Sequence, residues 1–288
     1  MKMSDVVQGF WRLDTWDYSK NELNTFLHEL VSNGITTMDH ADIYGDYTCE
    51  AIFGEALQIS KCLRDEMQIV TKCGIVLNSK TMPQFNYHKY DYSAEHITAS
   101  VERSLSNLKV DDIDLLLLHR PSPLLDSEIV ADTLKTLNEK GWVRSFGVSN
   151  FKAHQFDELN QAMQRVGLSL DYNQVELSAL TLENIEDGTL NHMKKQHVDL
   201  MAWSPLAGGD IFKPGEVNHV MSDIAKQYQT SIDDIAYRFI YHIPYKIYPI
   251  VGSKNIERTK LALNAKHQPL KDDEWFEIYK AALGRDIL

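Results

Sequence analysis

The chain has 288 residues, 41 acidic against 29 basic, and its net charge of −12 disfavours nucleic acid or an anionic membrane as a general partner. Its three cysteines, Cys49, Cys62 and Cys73, are an odd count without metal-ligand spacing, so neither a disulfide framework nor a structural zinc site is indicated. No segment is apolar for long enough to span a membrane and Met1-Lys2-Met3-Ser4-Asp5 lacks the apolar core of a signal peptide, so cytoplasmic residence is expected.

The prolines and glycines are scattered and no Ser/Gly-rich linker interrupts the chain, which predicts one domain over residues 1–288. Val6 to Arg12 reads as a first strand with its exit loop. Ser19 and Glu22 then have capping-box spacing, and Leu23, Phe26, Leu27, Leu30 and Val31 recur at helical intervals until Gly34. The β-branched run Ile35 to Met38 ends at Asp39, and the loop after it carries Tyr44. A short helix over 48–59 precedes a strand from Met67 that ends at Lys72, with Cys73-Gly74 as a turn.

Residues 75–92 hold Pro83, Asn86 and the rings of Phe85, Tyr87, His88 and Tyr90 without a sustained period, so they read as a long loop able to wall a pocket. A helix with Ile97, Val101, Leu105 and Leu108 on one side leads into the apolar run Ile113 to Leu118, which ends at His119. Such a run suits a parallel strand covered on both faces. Three further strand–helix alternations follow, with strands at Val143–Val148, Asp171–Glu176 and Val198–Trp203 and helices at about 152–166 and 184–196. Helices at 216–228 and 231–243 precede a last strand at Tyr248–Val251. Repeated βα alternation with no GxGxxG after the first strand predicts a (β/α)₈ barrel of parallel strands and not a dinucleotide-binding open sheet.

Asp39, Lys72 and His119 each end a strand, and in such a barrel the C-terminal strand ends form the catalytic face. A phenol of ordinary pKa near ~10 is a poor proton donor at neutral pH unless a cation stabilises its phenolate, and Lys72 is the candidate to serve Tyr44. Together DHADIYG at 39–45, VTKCG at 70–74, LLLLHRP at 115–121 and FGVSNF at 146–151 resemble the aldo-keto reductase family, closest to its bacterial oxidoreductases that share DHADIYG and a KAALG-type tail.

That resemblance implies an NADP(H)-dependent oxidoreductase that reduces an aldehyde or ketone. Tyr44 would be the general acid, Lys72 would lower its pKa, Asp39 would orient Lys72, and His119 would hydrogen-bond the substrate carbonyl. For NADPH it implies Ser149, Asn150 and Gln174 at the nicotinamide carboxamide and Trp203 stacked on the ring, where many members have Tyr. Ser204, Leu206, Ala207 and Gly208 would wrap the pyrophosphate. Gly252, Ser253, Lys254 and Arg258 resemble the motif that holds the 2′-phosphate, where Val251 replaces a Pro and Leu261-Ala262 replace an acidic-Asn pair at adenine. Trp11 is placed with the cofactor set and, with Phe10 and the 85–90 loop, around a hydrophobic substrate pocket. His40 and Asp42 are left out, and no metal is expected. Only about six residues precede the first strand, where the family usually opens with a β-hairpin that closes the barrel floor. The alternative reading is a non-catalytic NADPH-binding regulatory or redox-sensing protein, as the resembling potassium-channel β subunits suggest.

Overall fold

A computed structural model describes residues 2–287, and the chain divides into two compact units, Met1–Asn173 and Gln174–Leu288. The first unit contains strands β1 (Val7–Gly9), β2 (Thr37–Asp39), β3 (Gln68–Cys73), β4 (Ile75–Val76), β5 (Lys89–Tyr90), β6 (Ile113–Leu118) and β7 (Val143–Ser149). Its helices are α1 (Lys20–Ser32), α2 (Tyr44–Tyr47), α3 (Cys49–Leu57), α4 (Leu63–Glu66), α5 (Ala94–Leu108), α6 (Ser127–Glu139) and α7 (Ala153–Arg165). Strand β8 (Leu170–Glu176) runs across the division in sequence. The second unit holds α8 (Glu183–Glu186), α9 (Thr189–Lys195), β9 (Asp199–Trp203), α10 (Glu216–Tyr228), α11 (Ile232–His242), β10 (Ile247–Val251), α12 (Ile256–Ala265) and α13 (Asp272–Leu283).

Strands order as a closed barrel, β1-β10-β9-β8-β7-β6-β3-β2, in which the pairs β1–β2, β2–β3, β3–β6, β6–β7 and β9–β10 are parallel. The (β/α)₈ architecture expected from the alternation is therefore the observed one. Side chains cap the helices where the sequence offers them: Ser19 and Glu22 form the capping box of α1, Ser93 accepts from His96 N at α5, and Asp126 accepts from Glu128 N and Ile129 N at α6. Each removes orphan N–H groups from a helix start. On α5 the buried residues Ile97, Ser100, Val101, Ser104 and Leu108 follow the helical period, so one stripe faces inward.

All six residues of β6 are buried, Asp114 among them. That carboxylate accepts from Ile69 N at 2.8 Å and pairs with Arg64 at 2.8 Å and Arg144 at 3.3 Å, which satisfies it in an otherwise apolar strand. Helix α3 approaches α5 closely at Gly54, where an added Cβ would lie 2.0 Å from the Asn107 carbonyl oxygen. At the start of the chain Met3 and Ser4 are buried, and Ser4 Oγ accepts from Thr36 N and Thr37 N at 3.1 Å each. Those bonds tie the N-terminal residues to the beginning of β2, with no hairpin before β1 among the described residues.

Two segments depart from the sequence pattern. The helix expected at 184–196 breaks at Gly188, whose φ of 80° ends α8, and α9 restarts with Asp187 accepting from Thr189 N. Residues 75–92 are not wholly loop, because β4 and β5 pair antiparallel at their base. No helix among the described residues is long and apolar enough to cross a membrane.

Candidate active site

Register decides which side chains meet in the first unit. Asp39 lies opposite Val70 in the β2–β3 pair, and Lys72 lies opposite Leu117 in the β3–β6 pair. Side chains two apart on a strand share a face, so Lys72 follows Val70 to the side of Asp39, and His119 follows Leu117 to the side of Lys72. His119 N also donates to Cys73 O at 2.9 Å, which continues the ladder one step past β6.

Lys72 is fully buried and its ammonium has four oxygen partners. It donates to Asp39 Oδ1 at 2.9 Å and Oδ2 at 2.8 Å, to His40 O at 2.7 Å, and to Tyr44 Oη at 3.0 Å. Burial pulls the ammonium toward neutrality, but Asp39 and Tyr44 outweigh it and hold the pKa above its ordinary value. Lys72 is therefore charged, and one of its four acceptors is a phenol. The Tyr44 and His119 rings stand edge to face, 6.0 Å between centroids.

Lys72 acts on Tyr44 in the expected direction, yet the net shift runs the other way. Burial raises the phenol most, Lys72 lowers it and Asp39 raises it again, so the pKa stays above its ordinary value. Tyr44 is protonated throughout the neutral range. Burial, then the charges of Lys72 and Arg120, hold His119 well below the usual imidazole range, and its buried Nδ1 has no hydrogen-bond partner. His119 is a neutral donor or acceptor, not a cation.

His40 and Phe10 belong to the core. The imidazole stacks on Phe10 at 4.8 Å and meets Phe53 edge-on at 4.5 Å, with neither ring nitrogen hydrogen-bonded and a pKa pushed down to about 3 by burial and Lys72. Phe10 is fully buried there, so it does not face a substrate as the sequence suggested; Trp11, 58% exposed, does turn outward.

Asp42 and Glu50 form a buried acid pair. Asp42 Oδ2 accepts from Arg103 at 3.2 Å, Glu50 Oε1 accepts from Thr71 Oγ at 2.6 Å, and Asp42 N donates to Lys72 O at 3.1 Å. Burial, then Glu50, pushes the Asp42 carboxyl up to about 7. An acid whose folded pKa exceeds its unfolded value binds its proton more tightly when folded, so its contribution to stability is fully present at low pH. It falls as pH rises from about 4 through the folded value. Thermal melts should therefore show Asp42→Asn gaining on the parent between pH ~4 and ~7; a difference independent of pH would count against the buried titration.

The remaining residues expected at a cofactor lie on or just after strands, in turns and at a helix start. In the first unit Ser149 ends β7 and Asn150 follows with φ 63°, its amide donating to Ser149 Oγ at 2.8 Å and to His119 O at 3.4 Å. In the second unit Gln174 is buried on β8, and Trp203 ends β9. Beyond it Ser204, Ala207, Gly208 and Gly209 all have positive φ, a winding loop in which Ala207 N donates to Ser204 O and Gly209 N to Leu206 O. Gly252, Ser253 and Lys254 precede α12, whose N-cap is Asn255, and Arg258 stands in its first turn. A helix start with two cations beside it suits a phosphate. A Cβ on Gly252 would meet nothing, so that approach is open.

The family model for the aldo/keto reductase family matches residues 5–282. An uncharacterized oxidoreductase of Bacillus subtilis, YcsN, is 46% identical over 100% of this chain and 97% of its own length. The oxidoreductase YdhF of Escherichia coli is 41% identical over 99% of this chain and 96% of its own, and a 6-dehydroglucose reductase of Agrobacterium fabrum is 38% identical over 100% and 97%. Among solved structures, a thermostable aldo-keto reductase, Tm1743, crystallised with the inhibitor epalrestat, shares the fold with a TM-score of 0.82 at 23% identity over 98% of this chain and 96% of that one.

Proposed function

The chain belongs to the aldo/keto reductase family, and from that premise we propose that it reduces an aldehyde or ketone to the alcohol with NADPH, using Tyr44 as the proton donor. We take residues 1–288 as one catalytic domain, which the match over 5–282 supports. The observation that carries the reading is the Lys72 ammonium held between both Asp39 oxygens and Tyr44 Oη.

NADPH, when bound, supplies the hydride that no side chain can provide. Carbonyl reduction leaves negative charge on the substrate oxygen, and Tyr44 Oη delivers its proton there while Lys72 stabilises the phenolate that remains. Neutral His119 orients the same oxygen by a hydrogen bond. A phenol above its ordinary pKa keeps its proton at neutral pH but is a weaker acid, so its transfer depends on the Lys72 ammonium, which stabilises the phenolate as it forms, and alcohol oxidation, which needs the phenolate, is favoured by rising pH. A non-catalytic regulatory role has no observation of its own in its favour.

Turnover is tested by NADPH absorbance with a panel of aldehydes, ketones and sugar aldehydes, the last because one relative is named a 6-dehydroglucose reductase. No turnover with any of them, together with tight NADPH binding, would favour the regulatory reading. For the cofactor, Lys254 and Arg258 beside the start of α12 support preference for the 2′-phosphate. Charge-assisted contacts to phosphate contribute about 1.5–3 kcal/mol each, so Arg258→Ala should weaken NADPH binding about tenfold or more and leave NADH nearly unchanged. Fluorescence titration with both cofactors measures this; an equal loss for both would place Arg258 elsewhere in function.

A further inference from the structure

The segment 77–88 leaves and re-enters the fold through β4 and β5, whose pairing sets Ile75 against Tyr90 and Val76 against Lys89. Its near end is tied to the turn that carries Tyr44. Asp46 Oδ2 accepts from Lys80 N and Thr81 N at 3.1 Å each and from Thr81 Oγ at 3.0 Å. Tyr47 Oη accepts from Leu77 N at 3.0 Å, and its ring lies 5.5 Å from that of Phe85. Arg103 sits over both rings, at 5.6 and 5.8 Å, while it donates to Asp42. Hydrogen bonds from Ser79, Thr81 and Lys80 hold the Asp46 carboxyl below its ordinary pKa, as an anion that serves as an anchor.

The far end is tied to the turn that carries His119. Tyr92 Oη accepts from Arg120 N at 3.1 Å and donates to Arg120 O, so one hydroxyl fixes both backbone groups of the residue after His119. Its ring fills the space beside Gly74, where a Cβ would lie 2.1 Å from Tyr92 Cε1. Asp91 N donates to Gly74 O at 2.9 Å and extends the β4–β5 ladder toward that anchor.

The near turn also needs support. Gly45, Asp46 and Tyr47, three of the four residues of α2, are successively left-handed, with φ of 58°, 54° and 71°, so that short element is a turn and not a regular helix. Left-handed backbone at two adjoining non-glycine residues persists only where the surroundings over-determine it, and here the bonds from Leu77, Lys80 and Thr81 add to those from Thr48 and the packing of Arg103.

We propose that residues 75–92 form a brace that fixes the separation of Tyr44 from His119, with Asp46 and Tyr92 as positioning residues at its two ends. The proposal rests on the reading of Tyr44 as proton donor and His119 as carbonyl partner. Both must address one substrate oxygen, and a misplacement of about 1 Å can cost about a hundredfold in rate. Neither Asp46 nor Tyr92 handles the proton; each holds the backbone of a residue that addresses the oxygen.

A brace is a device in series, so releasing one end should make the other nearly irrelevant. The test is a double-mutant cycle with Asp46→Gly, which removes the anchor and relaxes the left-handed strain, and Tyr92→Phe, which removes one hydroxyl. Each single variant should lower kcat about tenfold, with NADPH affinity by fluorescence unchanged. The double variant should fall within about twofold of the worse single, not to the roughly hundredfold product that independent, distant sites give. Additive losses, or an unchanged kcat in either single variant, overturn the brace. Should Asp46→Gly not fold, Tyr47→Phe replaces it as the cut at the near end and is read in the same way. Tyr44→Phe runs alongside: if it keeps its rate, the proton-donor reading and the brace fall together, and if it is inactive while the cycle is additive, the brace falls alone.

Discussion

Tyr44→Phe is expected to stop carbonyl reduction, with a rate loss of about 10²–10⁴, while NADPH binds as before. The substitution removes one hydroxyl whose hydrogen-bond partner is the Lys72 ammonium at 3.0 Å. Single-turnover rates and fluorescence titration of the same preparation separate the two effects. A Phe variant that reduced its carbonyl at the parent rate would require another proton source, and the neutral, unpartnered Nδ1 of His119 would be the first group to examine.

Lys72→Met should be nearly as damaging and for two reasons. It takes away the cation that stabilises the phenolate, and it removes the ammonium paired with the buried Asp39 carboxylate. Breaking such a pair from one side costs about 3–5 kcal/mol, which should appear as a lowered melting temperature. In this variant the Tyr44 phenol, already raised by burial, should move still higher, because its largest lowering influence is gone. An ultraviolet difference titration against Tyr44→Phe would follow that residue alone. Asp39→Asn should be milder, since the ammonium keeps His40 O and Tyr44 Oη as acceptors. An active Lys72→Met beside an inactive Asp39→Asn would reverse the roles and make Asp39 the group that acts on the phenol.

Much of this arrangement is written locally in the chain. Ser19 and Glu22 announce α1, the leucine run announces β6, and the strand ends read at Asp39, Lys72 and His119 lie within one residue of the observed ends at Asp39, Cys73 and Leu118. Those features depend on neighbours within a few residues. What escaped depends on partners far away in sequence. The two-residue strands β4 and β5 are too short to show alternation and exist because they pair with each other. Asp46 reads as an ordinary turn residue, and Tyr92 carries no sign of its bonds to Arg120, 28 positions on. Phe10 looks like a pocket residue until His40 and Phe53 enclose it. The direction of the Tyr44 shift is likewise a matter of burial, which competes with Lys72 and cannot be weighed from spacing. At Gly188 a left-handed residue alone divides a helix that the apolar pattern would have continued.

Gly54 sets a limit on how this protein can be engineered for heat. Alanine is favoured over glycine inside a helix by about 0.5–1 kcal/mol, and such replacements are a routine source of thermostability. At this position the routine fails, because the new methyl would need the place of the Asn107 carbonyl 2.0 Å away. Helices α3 and α5 would have to separate, and α5 rests on β3, the strand that carries Lys72. A hydrogen atom on the outer layer thus acts as a spacer for the inner one, and a substitution chosen only for its helix propensity would be felt at the ammonium.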